Sequence, residues 1–349
     1  MEIRVYSRDL RFQGVSENQT SVIWTRKYFE TGEFEIHTPI TPDNVRLYQM
    51  GNIVWLQGAV EAGIIEDLIY EETPTINAIT VKGRFLESYM DRRIIHTTVN
   101  FTGKTEVAMR QLLDGIEYAL PNVELGTLQG FNETVSFQCT WKNLLSFESK
   151  LAMASNLGFR FRPDFNARKI YFDVYKGLDR TRSQHSRSFT EFSDEFDNLN
   201  SASYSINDQL ERTVAYVAGE GEGSERRVVI VGDTTGTGYD RRELFVDAKD
   251  ISSEDITDAE YVAALTQRGI EKLNENMMSN SLECVTVPQG NFDYKVNYDL
   301  GDVVTTRKSN WGISQDLRIT EIQEVYEHGA MQVVPTLGNP LPTTLNTED

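Results

Sequence analysis

The chain reads as a mainly β protein with α+β insertions. Three observations predict this. Short runs rich in β-branched and aromatic residues alternate with turn residues through the first hundred positions, only three stretches carry a helical period, and strand signals resume after residue 199. Ile3, Val5 and Tyr6 open the first strand, residues 21–24 and 34–37 continue, and Pro39 with Pro42 breaks the pattern. Residues 53–56, 62–70 and 76–83 follow at intervals typical of a barrel or strongly curled sheet. Such strands bury one face each, so Trp24, Phe34, Ile36 and Trp55 are expected in a core rather than on a ligand platform.

The period changes at Thr102. Ala108, Leu112, Ile116 and Leu120 lie at helical spacing within residues 104–120, and Pro121 with Asn122 stops that helix. A short strand over 134–139 leads to a second helix after Thr140, with Trp141, Leu144, Leu145, Glu148, Leu151 and Ala152 as its stripe and Gly158 as C-cap. Residues 159–162 and 170–175 make a hairpin. Residues 177–187 carry Lys176, Arg180, Arg182, His185 and Arg187 in or beside them and read as a basic linker or exposed loop. No aromatic residues interleave those charges, which weakens a nucleic-acid reading.

Strands resume at residues 203–206 and 213–218. Thr257 and Glu260 then form a capping-box pair before a third helix, whose face is Val262, Leu265, Gly269, Leu273 and Met277. Strands over 281–287 and 317–326 follow, with a tight turn at 299–304 between them. The tail from Pro335, with Pro340 and Pro342, is expected to be extended. The domain boundaries expected are 1–100 for a first barrel-like unit, 101–176 for a helix and hairpin insertion, 188–255 with 280–335 for a second barrel-like unit, 256–279 for a helix, and 336–349 for the tail.

A chain of 349 residues exceeds the usual size of a single core, and 39% hydrophobic with 10% aromatic residues supports folded material throughout. The formal net charge of −19 argues against wrapping nucleic acid, because duplex affinity comes mainly from neutralising phosphates. It is compatible with DNA sliding past without sticking. Cys139 and Cys284 sit beside apolar residues and read as buried thiols, the N-terminus has no apolar signal core, and nowhere do 18 uncharged apolar residues run together. The expectation is a protein made in a cytosol with no membrane span. The N-x-Thr triplets at Asn18, Asn100 and Asn132 therefore read as chance.

Catalytic patterns are absent from the sequence. His37, His96, His185 and His328 are scattered and pair with no cysteine cluster, and there is no G-x-S-x-G elbow. The triplet Gly103, Lys104, Thr105 resembles the end of a phosphate loop but lacks the upstream glycine. Glu66, Asp67, Asp233 and Asp240 are the carboxylates to inspect for a catalytic pair, and Asp233 with Asp240 for calcium, although glycine and glutamate are out of register for a calcium loop. The expectation is no enzyme, no metal and no cofactor.

Residues 215–231, AYVAGEGEGSERRVVIV, look like a phosphate loop with the wrong charge. Glu220, Glu222 and Glu225 interleave the glycines and would repel an anion, and Arg226 with Arg227 leads into a second strand. A long, projecting β-hairpin is the better reading.

The segment from Trp24 to Ile36 with Gly32, Glu33, Phe34 and Glu35; the run Val81, Lys82, Gly83, Arg84, Phe85, Leu86 leading to Arg92 and Arg93; Gly219 to Arg226; Arg241, Arg242 and Glu243; and the turn at 299–304 occur in an order that resembles the Gp37-like tail protein family of siphophages and prophages. That family looks related to phage tail-hub proteins, the baseplate hubs and the N-terminal parts of tail-associated lysins. The resemblance covers about residues 1–335. It implies a phage baseplate-hub-like fold with two barrel-like domains and a structural hub at the distal end of the tail. The implied assembly is a homotrimer around a passage for phage DNA, which passes without specific binding. The implied partners are the distal tail protein, the tape measure protein and tip or fibre proteins, and the implied location is the virion tail tip. Arg84, Arg92, Arg93, Glu220, Glu222, Glu225, Arg226 and Arg227 are the candidate interface residues. The alternatives are a tail-tip cell-wall hydrolase and a receptor- or carbohydrate-binding module, the latter requiring Trp311 and Tyr239 to form one platform.

Overall fold

The computed structural model describes residues 1–196, 198–254, 256–286, 292–327 and 329–339. It is mainly β. The strand Ser21–Lys27 lies between Glu33–Thr38 on one side and Ile313–Glu327 on the other, antiparallel to both, so the two ends of the chain meet in one fourteen-stranded sheet. From Glu33–Thr38 the sheet continues through Asn77–Phe85, Gly63–Glu72, Ile53–Leu56, Ile3–Tyr6 and Phe12–Ser16. From Ile313–Glu327 it continues through Ala330–Asn339, Ser279–Thr286 and Leu199–Asn207.

Alternation explains the first core. Val22 and Trp24 point inward from one strand, Phe34 and Ile36 from the next, and Val81 and Phe85 from a third, giving a buried cluster with Trp24 4.7 Å from Phe85 and 5.7 Å from Phe34. Trp24, Phe34 and Ile36 are core, as expected; Trp55 is half-buried, with Phe165 at its edge and Arg4 over its ring. Two glycines make room for Phe34. A Cβ on Gly63 would stand 2.4 Å from its ring, and one on Gly83 would stand 1.8 Å from the Ile64 carbonyl oxygen.

Helix α1, Pro42–Leu47, falls where prolines were expected only to break a strand. Thr41 accepts a hydrogen bond from the Asn44 amide at 3.1 Å, and Pro42 occupies a first-turn position where its missing N–H costs nothing. Helix α2, Thr105–Asp114, is shorter than residues 104–120 because Gly115 closes it, its amide donating to the Gln111 carbonyl at 2.9 Å. Ile116 and Leu120 keep the apolar period by packing from the following loop. Helix α3, Leu144–Ser155, is capped by Asn143, and its C-cap is left-handed Asn156, not Gly158, which opens the strand Gly158–Asp164. Trp141 lies outside the helix, exposed, in a left-handed conformation.

The strands Gly158–Asp164 and Lys169–Tyr175 form the expected hairpin, with Val123–Leu125 added in parallel. Residues 177–187 are not simply a linker. Asp179–Arg180 pairs in parallel with Val303–Val304, and the Leu178 amide and the Arg180 guanidinium both donate to the Asp302 carboxylate at 2.7 Å. The polar residues that follow, including His185 and Arg187, lie exposed. The strand Ala330–Asn339 carries the chain beyond Pro335 within the sheet; Pro340 and Pro342 lie outside the described residues.

A separate three-stranded sheet has Val214–Ala218 at its centre, Val228–Gly232 antiparallel on one side and Glu243–Asp247 parallel on the other. Helix α4, Asp258–Glu275, covers one face. It carries the expected capping box between Thr257 and Glu260, and Gly269 lets it approach closely, since a Cβ there would lie 2.7 Å from Val231.

The Gly83→Ala variant is expected to lose about 1–3 kcal/mol through overpacking against the Ile64 carbonyl, read as a lower urea midpoint. An unchanged midpoint would show that the strand relaxes without cost.

Candidate assembly surfaces

The polar centre of the molecule is a charge cluster that joins its ends. Val22, Trp24 and Arg26 share one face of their strand, so period-two alternation drives Arg26 into the interior. Its guanidinium donates to both oxygens of Glu61 at 2.8 and 3.0 Å, to Asp299 at 2.6 Å and to the Tyr294 hydroxyl at 2.9 Å. The Tyr294 hydroxyl donates onward to Glu324 at 2.7 Å, and Lys295 pairs with the same carboxylate at 3.0 Å. Burial pushes the Tyr294 phenol well up, so it remains a donor at neutral pH. Sequence reasoning missed this cluster, although an arginine on the apolar side of an alternating strand is a legible signal.

The arginines picked out by resemblance form a second cluster on the surface. Arg84 on Asn77–Phe85 makes a two-pronged contact with Glu66 on the neighbouring strand, at 2.8 and 3.1 Å, and reaches Asp91 at 2.9 Å. Arg92 donates to the same Glu66 at 3.0 Å, while Arg93 donates to the Tyr118 carbonyl at 2.7 Å. Burial raises the Glu66 pKa, but the two guanidiniums outweigh it and hold the carboxyl below the usual range. These contacts all lie within one chain.

The turn that presents Arg92 outward presents Glu87 inward. In the 3-10 helix Leu86–Arg92, Glu87 is buried and one carboxyl oxygen accepts the Phe161 amide at 2.7 Å, tying the first sheet to the hairpin Gly158–Asp164. Burial pushes its pKa up to about 8. Glu148, placed on the apolar stripe of α3 by its spacing, is likewise fully buried and pushed well up.

The loop between Ala218 and Val228 does not project as a free arm. Its flanking strands are five residues each, and its side chains fold back. Glu220 accepts from the Ser253 amide at 3.0 Å and from its hydroxyl, which hold its carboxyl below the usual range, while the Glu220 amide donates to Tyr261 at 2.7 Å. Arg226 donates to the Ala218 and Gly219 carbonyls and pairs with Asp247; Arg227 reaches Asp258 at 3.4 Å. Glu222 and Glu225 are exposed. Glycines at positive φ, Gly221 and Gly223, allow the turn that brings Glu220 and Arg226 inward.

The other candidate groups do not converge. Glu66 is held by arginines, exposed Asp67 flanks a register shift, and Asp233 accepts from the Thr235 and Gly236 amides in its own turn. Among the described residues no three His, Cys, Asp or Glu side chains are grouped as a metal site. His37 bonds Glu35 and Thr80, His96 faces Glu117 at 3.7 Å, His185 is exposed, and His328 lies outside the described residues. Gly103 and Lys104 belong to the strand Val99–Lys104. The nearby amides of Gln129, Gly130 and Phe131 converge on the protein's own Glu106 at 2.6–3.2 Å, where a phosphate would otherwise compete. Tyr239 is fully exposed and Trp311 packs under Lys308, with no ring contact between them among the described residues. Both cysteines are buried, and they form no disulfide with each other.

A family model, the Siphovirus ReqiPepy6 Gp37-like protein, matches residues 2–339. The chain belongs to this Gp37-like family. Its fold is shared with the 43 kDa tail protein of prophage MuSo2 from Shewanella oneidensis, at 14% identity and a TM-score of 0.60 over 97% of this chain and 99% of that one. A tail protein from Neisseria meningitidis MC58 gives 14% and 0.60 over 96% and 95%, and prophage tail protein gp18 from Listeria monocytogenes gives 12% and 0.58 over 98% and 96%. Comparison with curated proteins found no match. The Gp37-like chain therefore has the fold of phage and prophage tail proteins, and no helix among the described residues is long and apolar enough to cross a membrane.

Two outcomes test the buried charges. Arg26→Ala is expected to cost about 3–5 kcal/mol in urea unfolding, because it strands the buried Glu61; a loss below about 1 kcal/mol would remove the clamp from its central place. Glu87 has a folded pKa above its unfolded value of 4.5, so its contribution is fully present below pH 4.5 and is lost as pH rises through about 8. Glu87→Gln should therefore gain on the parent by a few kcal/mol between about pH 5 and pH 9, since each tenfold change in proton affinity is worth about 1.4 kcal/mol. Parallel stability curves for the two proteins would contradict this.

Proposed function

We propose that this Gp37-like chain is a structural hub subunit at the distal end of a long-tailed phage or prophage tail, linking the tail tube or distal tail ring to the tip or fibre. The observation that carries the reading is the fold shared with prophage tail proteins over nearly the full length of both chains. The chain acts as a homotrimer around the DNA passage, with the distal tail protein, the tape measure protein and tip or fibre proteins as neighbours. It is made in the host cytoplasm and resides in the virion tail tip. Its role is mechanical and needs no turnover.

The physical properties suit that task. A buried clamp at Arg26 stiffens the junction between distant parts of the chain, and a surface cluster at Glu66 braces two neighbouring strands and the turn that follows them. The net charge of −19 disfavours adhesion of DNA. Arg84 and Arg92 are anchored to Glu66 from below, which fixes their exposed sides for a neighbour, and Arg93, Glu222, Glu225 and Arg227 extend the charged surface available to other subunits.

Electron microscopy of tails carrying a labelled chain should place the label at the distal end. Label confined to the capsid or spread along the tube would reject the hub reading. Separately, the Arg92→Ala, Arg93→Ala double variant should show lower oligomer occupancy by light scattering, and an unchanged mass and melting temperature would remove these arginines from the interface.

A further inference from the structure

The three-stranded sheet under α4 has two open edges. In the antiparallel pair, the Gly219 amide bonds the Arg227 carbonyl and the Asp233 amide bonds the Thr213 carbonyl. Antiparallel ladders alternate, so Val229 and Val231 turn their backbone groups inward while Val228, Ile230 and Gly232 turn theirs to the open side. In the parallel pair, the Arg242 carbonyl accepts from Val214 and the Ala248 amide donates to Ala218. By the same alternation Glu243, Phe245 and Asp247 present their backbone groups outward. Among the described residues no further strand pairs with either edge.

The Val228–Gly232 edge is not shielded in the usual ways, whereas Glu243 and Asp247 place charge on the other edge. The sequence VVIVG has no charge, no proline and no bulge, and natural proteins rarely leave such an edge uncovered. The side chains agree with the backbone: Val228 is 48% exposed, Ile230 49% and Phe245 65%. Ile230, Tyr216 and Phe245 are register partners in one row on the face away from α4. This row runs from one open edge to the other.

We propose that the two edges pair with each other between copies of this chain, Val228–Gly232 of one subunit lying antiparallel to Glu243–Asp247 of the next. With Ile230 opposite Phe245, Val228 meets Asp247 and Gly232 meets Glu243, and the outward-facing backbone groups on both strands meet as hydrogen-bonding pairs. The same register joins the apolar row of one subunit to that of its neighbour. Charge disfavours the pairing of two Glu243–Asp247 edges with each other. Two Glu243–Asp247 edges placed antiparallel would set Glu243 against Asp247 twice, a repulsive cross-strand pair. The uncharged Val228 edge brings no such repulsion, while Glu243 and Asp247 are already paired with Arg241 and Arg226 of their own subunit. Head-to-tail contacts generate rings when the rotation closes. The proposal thus rests on the ring reading for its biological setting, although the contact itself is tested without a tail.

Single variants Ile230→Cys and Phe245→Cys of the full chain, with Cys139 and Cys284 buried, are treated with a short bis-maleimide at high protein concentration. A mixture of the two should yield covalent dimers, and the double variant should yield dimers and trimers, whereas each single variant alone remains monomeric. Unchanged melting temperatures before cross-linking confirm that the variants fold. Cross-linking of a single variant to itself overturns the head-to-tail assignment, and absence of products from both the mixture and the double variant overturns edge pairing. Failure here with label at the tail end leaves the hub reading standing without this contact; success with label elsewhere leaves the contact without the hub.

Discussion

A guanidinium cannot be buried without counter-charge, and the placement of Arg26 makes the fold depend on meeting that requirement. The desolvation cost of an isolated ion is several kcal/mol, so the structure must deliver carboxylates to the interior with good geometry. It draws Glu61 from the first hundred residues and Asp299 from near the C-terminus, and it places Tyr294 and Glu324 behind them. Strand Ser21–Lys27 can satisfy Arg26 only if Ile313–Glu327 lies beside it and the turn that carries Asp299 is formed. Closure of the chain ends is thereby coupled to one side chain. A hydrophobic residue there would pack with less penalty, but it would not demand a particular partner from the far end of the sequence.

The surface cluster at Glu66 applies the same logic with weaker forces. Exposed ion pairs contribute little each, yet Arg84 and Arg92 share one carboxylate while Arg84 also holds Asp91, so the strand and the following 3-10 helix are braced together. Behind that helix, Glu87 bonds the Phe161 amide. One turn of seven residues thus connects the first sheet, the middle hairpin and the surface.

Much of the fold is legible in the sequence because alternation and capping are local. The strands at 53–56 and 134–139, the hairpin after α3 and the capping box before α4 follow from residue spacing and side-chain chemistry. Expectation and structure part where a longer-range partner decides the outcome. The apolar period carries the expected α2 past Gly115 because Ile116 and Leu120 pack from a loop, and the basic stretch near Arg180 is recruited into the sheet by Asp302, over a hundred residues away. The loop at 219–227 shows the same limit: its charge pattern excludes a phosphate site, but nothing local states that Ser253, Tyr261 and Asp247 will fold it inward. The Arg26 clamp is readable as a buried arginine, but its partners are not.

Charge must also be read by location. The formal value of −19 counts Glu87 and Glu148 as ionised, although burial holds both carboxyls above the usual range, so the folded chain is less acidic than its composition suggests. Of the carboxylates that are ionised, Glu66, Asp247 and Glu243 face cations of the same chain. At physiological salt a charge acts over about 8 Å, so an approaching charged surface senses the nearest carboxylates rather than the total. The acidity of the chain therefore acts through side chains such as Glu222 and Glu225, which stand exposed at a turn without a cation of their own subunit, among the described residues, holding them inward, rather than through the formal total.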